Sequence, residues 1–293
     1  MCSHNTLIID TTYGLTIGIT GHEPYHNTDS RSHVENLEKT VEQCLTSHGL
    51  TPADLTTIIV LTGPGPFTGL RAGIVFAKAL AFATGATLIG QNILEPQAAW
   101  EAAHAHTTEY VLAVNDARRR QLYYQLFKIT PNAATPYEAL TDMDIDYPQN
   151  IANTISNLCT DTTSPLIITG HGATTYSILH DQLTNNGYTN ITLTDQSVTY
   201  ANGAEGLTLI TTLALNHYHH HDNTAANPLY LRRPDAKLPA PLKPVLENST
   251  TIITNSENDL APNKRAEAPE QAEDTVHEVE ENLIWTTWSK DHQ

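Results

Sequence analysis

The sequence predicts an α/β protein of two duplicated lobes followed by a disordered tail, and three observations support this fold class. Apolar runs of strand length alternate with helical patterns. The order strand, acidic turn, returning strand, helix occurs twice, first from Leu7 and again from Tyr110. At about Pro239, proline and acidic residues replace the apolar runs. We expect a first lobe at about 1–107, a second at about 108–199, a helix at about 200–222 that packs back on the first lobe, and a tail over 236–293.

The first lobe begins with a strand over 7–12 that turns after Asp10, and a returning strand runs from Gly14 to Thr20. The next helix has apolar residues at three- and four-residue steps, which place them on one face: Val34, Leu37, Val41, Cys44 and Leu45. A buried strand at 57–60 then leads into a glycine-rich loop and a helix from Leu70 to about residue 83. A short strand at 87–90 and a helix at about 96–105 complete this half.

The second half repeats this order. A strand at 110–116 ends in an acidic turn, and further elements follow as a returning strand at 121–127, a helix at about 148–158, a strand at 166–169, a helix after the loop Gly170-His171-Gly172, a strand at 191–193 and a long helix at about 202–217. Asp10 thus corresponds to Asp116, and the loop at Gly63 to the one at Gly170. We therefore expect two mixed sheets, each with its own helices.

Net charge and composition exclude several classes of function. The net charge of −17 argues against a broad basic face for nucleic acid, so a tRNA contact needs a basic partner. Three widely spaced cysteines, Cys2, Cys44 and Cys159, fit reduced thiols. The N-terminus lacks a basic region, and the longest uncharged run, 79–94, is too short and too polar to span a bilayer. We expect a cytoplasmic protein without a membrane helix.

The tail combines low hydrophobicity with excess acidic charge. The few apolar residues that it could bury cannot offset the conformational entropy that the chain loses on ordering. We expect it to be disordered. Near its end it holds an apolar cluster typical either of a short partner-binding motif or of an unselected extension: Val279, Leu283, Ile284, Trp285 and Trp288.

The loop Gly63-Pro64-Gly65-Pro66-Phe67-Thr68-Gly69-Leu70-Arg71 joins a buried strand to a helix, an order that can present backbone N–H groups to an anion. It lacks the Walker A lysine, and its two prolines remove donors. A rigid turn that positions a packing helix is the other interpretation. Asp10 and Asp116 can hold magnesium in a nucleotide cleft or cap turns, and an ion pair with Arg118–Arg120 is an alternative for Asp116. The residues of this possible nucleotide cleft are Asp10, Thr11, Thr12, Gly63, Gly65, Gly69, Asp116, Gly170 and Gly172.

Two histidine patterns resemble metal sites. His22-Glu23-Pro24-Tyr25-His26 matches H-E-x-x-H, but proline inside the motif and glycine before it predict a turn and not the required helix. His217 and His221 have helical spacing, which allows adventitious binding of Ni²⁺ or Zn²⁺, but they lie where a helix ends, a position that suits histidine electrostatically without a metal. No metal site and no catalytic residue is predicted.

The loop and three further motifs resemble the TsaB (YeaZ) family of bacterial tRNA threonylcarbamoyladenosine biosynthesis proteins. The other motifs are Ile8-Ile9-Asp10-Thr11-Thr12 with His33 on the first helix, Asn115-Asp116-Ala117-Arg118-Arg119, and Pro228-Leu229-Tyr230-Leu231-Arg232. The resemblance covers about residues 6–233 in the family's order.

The resemblance implies a two-lobed fold of the actin, hexokinase and Hsp70 (ASKHA, ribonuclease H-like) type. It also implies a non-catalytic relative of TsaD, the subunit that transfers threonylcarbamoyl to N6 of adenosine 37 in tRNA (t6A37). TsaD carries H-x-x-x-H on its first long helix, whereas here His33 is followed by Leu37. No cofactor is then expected to bind tightly to the isolated chain, and ATP or ADP and a metal ion are expected mainly on partner subunits.

Family members pair with TsaD through their N-terminal lobes, and the ATPase TsaE joins the complex. Carried onto this chain, the interface comprises His33, Val34, Leu37, Val41, Arg71, Ile74, Ala77, Lys78 and Ala81. Small residues on the second helix allow close helix approach, although the same faces can simply be core. The resemblance also implies that tRNA is reached only through the complex, and the same faces can pair as a homodimer. The function predicted is a scaffold that activates TsaD; the alternatives are an ATP-dependent small-molecule kinase of the same superfold and an M22-type metallopeptidase.

Overall fold

The computed structural model describes residues 5–27, 33–104, 107–131, 133–220 and 225–232. They belong to one unit, Met1–Ala236, and a second unit comprises Lys237–Gln293. The predicted tail, with its tryptophans Trp285 and Trp288, lies outside the described residues.

The first sheet has five strands in the order β3-β2-β1-β4-β5. Their bounds are β1 Thr6–Asp10, β2 Leu15–Ile19, β3 Tyr25–Asn27, β4 Thr57–Gly63 and β5 Thr87–Asn92. β1 pairs antiparallel with β2 and parallel with β4, which pairs parallel with β5. Successive residues of β1 face two different cores, Leu7 and Ile9 one and Ile8 the other. Because both faces are covered, the strand reads as a continuous apolar run.

The second sheet repeats this arrangement with the order β11-β10-β6-β7-β8, and β9 also pairs with β7. The strands are β6 Tyr110–Asp116, β7 Leu122–Ile129, β8 Tyr137–Ala139, β9 Asp144–Asp146, β10 Leu166–Thr169 and β11 Ile191–Thr194. β6 pairs antiparallel with β7 and parallel with β10, as β1 does with β2 and β4. The predicted duplication is confirmed.

Six α-helices cover the sheets in the described part of the chain: α1 His33–Ser47, α2 Phe67–Thr84, α3 Glu95–His104, α4 Pro148–Leu158, α5 Ser177–Asn185 and α6 Gly203–His219. Helices α1 and α2 pack on one face of the first sheet, and α4 and α5 on the second sheet. Helices α3 and α6 share one core with strands of both sheets. The two halves therefore meet in a continuous apolar interior.

Three short strands, β3, β8 and β9, do not appear among the predicted elements. Each has three residues, too few for an alternating pattern to emerge. β3 contains His26, so H-E-x-x-H is not helical, as predicted. α2 begins at Phe67, three residues before the predicted start.

Helix α2 is long and apolar enough to cross a membrane by length and composition, although a core helix of a soluble protein meets the same test. It carries two cations, Arg71 and Lys78, and buries one face, including Leu70, Ile74 and Ala77, on the first sheet. One such helix is weak evidence for a membrane span.

Candidate functional site

The turn after β1 is organised by Asp10. Its Oδ1 accepts hydrogen bonds from the Thr12 N–H at 2.8 Å and from the Thr12 hydroxyl at 2.6 Å. Burial raises the pKa of Asp10, and the bonds from Thr12 oppose that shift only in part. The carboxyl group is 1% exposed, so its visible role is to hold the turn.

Asp116 has the corresponding position after β6. Its Oδ1 accepts from the Arg118 N–H at 2.9 Å and from the Tyr176 hydroxyl at 2.9 Å. Both aspartates thus make the turn-capping contacts that the sequence leaves as one of their alternatives.

The glycine-rich loop packs directly on the β1–β2 turn. A Cβ atom on Gly69 would lie 2.7 Å from the carbonyl oxygen of Thr11, and one on Gly65 would lie 3.1 Å from Cα of Thr12. Both glycines are therefore needed for close approach of two backbone segments. This contact favours the packing interpretation of the loop over the anion-binding one.

The two halves of the predicted nucleotide cleft are joined by stacked rings. Tyr13, after β1, stacks on His171, after β10, with ring centroids 4.0 Å apart and planes 16° apart. The ladder continues through Tyr200, 6.3 Å from Tyr13, to His26, 3.9 Å from Tyr200. The rings of Tyr13 and His171 thus join the segment after β1 to the segment after β10, while Gly65 and Asp116 of the same predicted cleft line a cavity of about 310 Å³.

His171 is held neutral in this ladder. Burial lowers its pKa to about 4, against an opposing effect of the Asp116 carboxylate. The Asp116 N–H donates to Nδ1 of His171 at 3.3 Å, which requires an unprotonated Nδ1. Sequence reasoning missed Tyr13 and His171 as site residues; the available signals were a histidine between two loop glycines and an aromatic residue after Asp10-Thr11-Thr12.

The predicted partner interface requires a correction. Five of its residues are buried inside the chain, in the core between the first sheet and helices α1 and α2: Leu37, Val41, Ile74, Ala77 and Ala81. Ala77 and Ala81 of α2 pack within the chain, whereas Ala79 and Ala83 are exposed. The side chains of His33 and Val34 lie outside the described residues, whereas Arg71 and Lys78 are exposed.

The opposite side of α2 faces solvent. We call Arg71, Val75, Lys78 and Phe82 the outer face of α2, because their spacing places them along one stripe. Val75 is 63% exposed and Phe82 93% exposed. The Lys78 Nζ donates to Oδ1 of Asn227 at 3.3 Å, and the Arg71 guanidinium lies 5.1 Å from the centroid of the Phe67 ring. A stripe in which two exposed apolar side chains alternate with two cations is thus available for docking.

No group of three histidine, cysteine, aspartate or glutamate side chains is placed to hold a metal ion within the described ranges. His26 Nδ1 instead contacts the Thr16 hydroxyl at 2.8 Å, and His217 Nε2 lies 3.2 Å from Oε1 of Glu95. His221 lies outside the described residues.

Comparison with known proteins places this geometry in a family. The model of the family TsaD, tRNA N6-adenosine threonylcarbamoyltransferase, matches residues 25–239. A solved structure of YeaZ from Pseudomonas aeruginosa superposes with a TM-score of 0.58 at 20% identity over 78% of this chain and 99% of that one, which shows that the folds agree.

Relatives with similar sequences match over shorter stretches. An uncharacterized protein of Mycobacterium tuberculosis is 42% identical over 96 residues, 33% of this chain and 43% of the relative. The tRNA N6-adenosine threonylcarbamoyltransferase of Ruegeria pomeroyi is 43% identical over 65 residues, 22% of this chain and 18% of the relative. The chain thus spans less than half the length of these relatives. The family model covers well over half of the chain, and the YeaZ fold agrees with the resemblance seen in the loop. The chain belongs to the TsaD family of tRNA N6-adenosine threonylcarbamoyltransferases.

Proposed function

We propose that this chain is a non-catalytic scaffold subunit that binds TsaD and activates it for t6A37 formation. The observation that carries the proposal is the outer face of α2. A single exposed apolar residue needs no explanation. Val75 and Phe82, however, lie along one stripe of a helix that begins in the family's glycine-rich loop, and such a stripe is suited to binding a partner. On this proposal the partner is TsaD, TsaE joins the assembly, and a homodimer through the same face forms when TsaD is absent.

A non-catalytic role is supported by ring contacts within the predicted nucleotide cleft. The ring of Tyr13, after β1, stacks on that of His171, after β10, and Gly65 and Gly69 of the loop contact backbone. In this proposal ATP or ADP and a metal ion act mainly on the partner subunits, and tRNA is modified in the complex. A cytoplasmic location follows from that role.

Docking through α2 requires little rearrangement. The outer face lies on a helix whose other side is fixed by core contacts of Leu70, Ile74 and Ala77. A partner that covers Phe82 and Val75 therefore buries apolar surface without ordering a flexible segment, which limits the entropic cost of association.

Reconstitution tests the proposal. Purified TsaD and TsaE, with threonylcarbamoyl-adenylate precursors and an unmodified tRNA, are assayed with and without this chain, and t6A is measured by mass spectrometry of nucleosides. We expect a large loss of modification without the chain and no modification by the chain alone. An undiminished rate in its absence would refute the scaffold role.

A further inference from the structure

The first histidine of the H-E-x-x-H segment has a partner that the motif does not contain. The ring of His22 lies against the ring of His48, with centroids 4.3 Å apart and planes inclined by 58°. His26, the other histidine of the motif, stacks instead on Tyr200. His22 belongs to the turn between β2 and β3, and His48 directly follows α1. The pair therefore joins two segments, and the proposed scaffold role does not use it.

Short hydrogen-bonded turns hold both histidines in place. The His22 N–H donates to the Ile19 carbonyl at 3.0 Å, which closes a four-residue turn. The His48 N–H donates to the Leu45 carbonyl at 3.0 Å, and the Leu50 N–H donates to the same carbonyl at 2.9 Å, as in a Schellman cap. Ile19 and Leu45 belong to one buried core. Both rings are thus attached to turns that are anchored in the fold.

The two ring nitrogens of His48 have different roles. Nδ1 lies 2.7 Å from the Cys44 carbonyl oxygen and 3.2 Å from the Ser47 hydroxyl. Because a carbonyl oxygen only accepts hydrogen bonds, Nδ1 carries the proton, and Nε2 of the neutral ring carries the lone pair. Histidines that bind metal ions are commonly oriented by such a bond from the other ring nitrogen to a backbone carbonyl. His48 is therefore oriented as a metal ligand through Nε2.

The separation of the rings suits two ligands of one ion. With metal–nitrogen bonds of about 2.0–2.1 Å, an imidazole centroid lies about 3.2 Å from the metal, so two adjacent ligands have centroids about 4.5–5.2 Å apart. The 4.3 Å between the rings of His22 and His48 is just below this range. His22 is exposed, so rotation about its side-chain bonds is enough to open the pair.

The electrostatic surroundings of the pair favour a cation. His48 lies at the carboxyl end of α1, where the helix dipole is negative. Helix α1 contains three glutamates and one lysine, and the whole chain has a net charge of −17. Such a field raises the local concentration of cations.

We propose that His22 and His48 together bind one divalent transition-metal ion of the late first row, with Zn²⁺ as the probe and water at the remaining positions. Imidazole nitrogen is a preferred ligand of these ions, whereas Mg²⁺ and Ca²⁺ prefer oxygen. The bound ion ties the β2–β3 turn to the end of α1. This site goes beyond the scaffold role and requires no other subunit.

The test measures Zn²⁺ binding to the full-length chain by calorimetry. Every protein compared carries His219→Asn, His220→Asn and His221→Asn, which remove the histidine run at the end of α6 as a competing site. We expect this background protein to bind Zn²⁺ and its melting temperature to rise by about 2 °C or more in excess Zn²⁺. In ¹⁵N spectra of the histidine rings, Zn²⁺ should shift Nε2 of His48 while Nδ1 keeps its proton.

Matched variants locate the site. His22→Ala and His48→Ala should each weaken Zn²⁺ binding at least about tenfold, since even the loss of a group that only orients a ligand costs that much. His22→Ala should also abolish the rise in melting temperature. His180→Ala is the control, because it removes an exposed histidine of α5 that lies 3.7 Å from Oδ1 of Asp181.

Two results would overturn the proposal. The first is no Zn²⁺ binding by the background protein, or equal binding by the background protein and by both His22→Ala and His48→Ala. The second is a loss for His180→Ala as large as that for His22→Ala, which would show an adventitious ion only. Unchanged circular dichroism spectra of the variants exclude misfolding as the cause. Because no other subunit is present, the outcome is independent of the reconstitution assay.

Discussion

The phenol ring of Tyr13 stacks on the imidazole of His171 at 4.0 Å, and this contact joins equivalent ends of the two duplicated sheets. Tyr13 follows β1 and His171 follows β10, so each residue comes from a different half of the repeat.

The buried imidazole predicts a specific pH dependence. Unfolded histidine binds a proton near pH 6.5, whereas burial lowers the pKa of His171 to about 4 in the folded chain. The unfolded state therefore binds more protons between these values, and stability falls as the pH drops from about 6.5 towards 4. We expect His171 to account for up to about 3 kcal/mol of that loss.

Urea unfolding at several pH values measures this contribution. His171→Gln should lower stability at pH 7 but flatten its decline on acidification, whereas His219→Gln, at an exposed position of α6, should leave the decline unchanged. Parallel curves for the wild type and His171→Gln would contradict the assigned pKa.

Gly69 should tolerate no side chain. Alanine usually stabilises a helix relative to glycine by about 1 kcal/mol. At this position its Cβ would meet the Thr11 carbonyl at 2.7 Å, and backbone on both sides prevents relief. We expect Gly69→Ala to lower the free energy of unfolding by about 1–3 kcal/mol. Thr68→Ala, one residue earlier and exposed, is the control for thermal melts; equal melting temperatures for both variants would argue against the close contact.

Glu95 links α3 to both β8 and α6. Its Oε1 accepts from the Tyr137 hydroxyl at 2.9 Å and lies 3.2 Å from Nε2 of His217. Burial alone would raise the pKa of Glu95, but the bonds from His217, Tyr137 and Gln91 outweigh it and lower the pKa.

Tyr137→Phe should therefore destabilise the chain by about 1–3 kcal/mol, because a buried carboxylate loses a donor. Denaturant unfolding checks this against Tyr218→Phe, which removes a hydroxyl from an exposed ring. A loss for Tyr137→Phe no greater than for Tyr218→Phe would show that the bond contributes little.

The hydrophobic pattern predicted the repeated order of strands and helices, because the apolar runs in each half are long enough to be recognised as strands or helices. It did not predict which side of α2 faces outward, since both sides are apolar: Ile74 and Ala77 lie inward, whereas Val75 and Phe82 lie outward. Periodicity identifies a stripe, but tertiary packing decides which stripe the sheet covers.

The contact between Tyr13 and His171 was equally inaccessible from local sequence. Tyr13 and His171 meet only because two strands from different halves end at the same place, a long-range pairing that no local spacing encodes. The turn-capping role of Asp10 and Asp116 was recognisable from the sequence as one alternative, because an aspartate at the end of a strand is typical of such turns.

The central claim is that the outer face of α2 binds TsaD, and one measurement tests it most directly. Tagged TsaD is used to capture the wild-type chain, Val75→Arg, Phe82→Arg and the control Ile178→Arg, which introduces the same charge at an exposed apolar position of α5. All variants must first give the wild-type circular dichroism spectrum. We predict that Val75→Arg and Phe82→Arg weaken capture at least about tenfold, a loss of about 1.4 kcal/mol or more, while Ile178→Arg does not. Undiminished capture of both α2 variants would contradict the account.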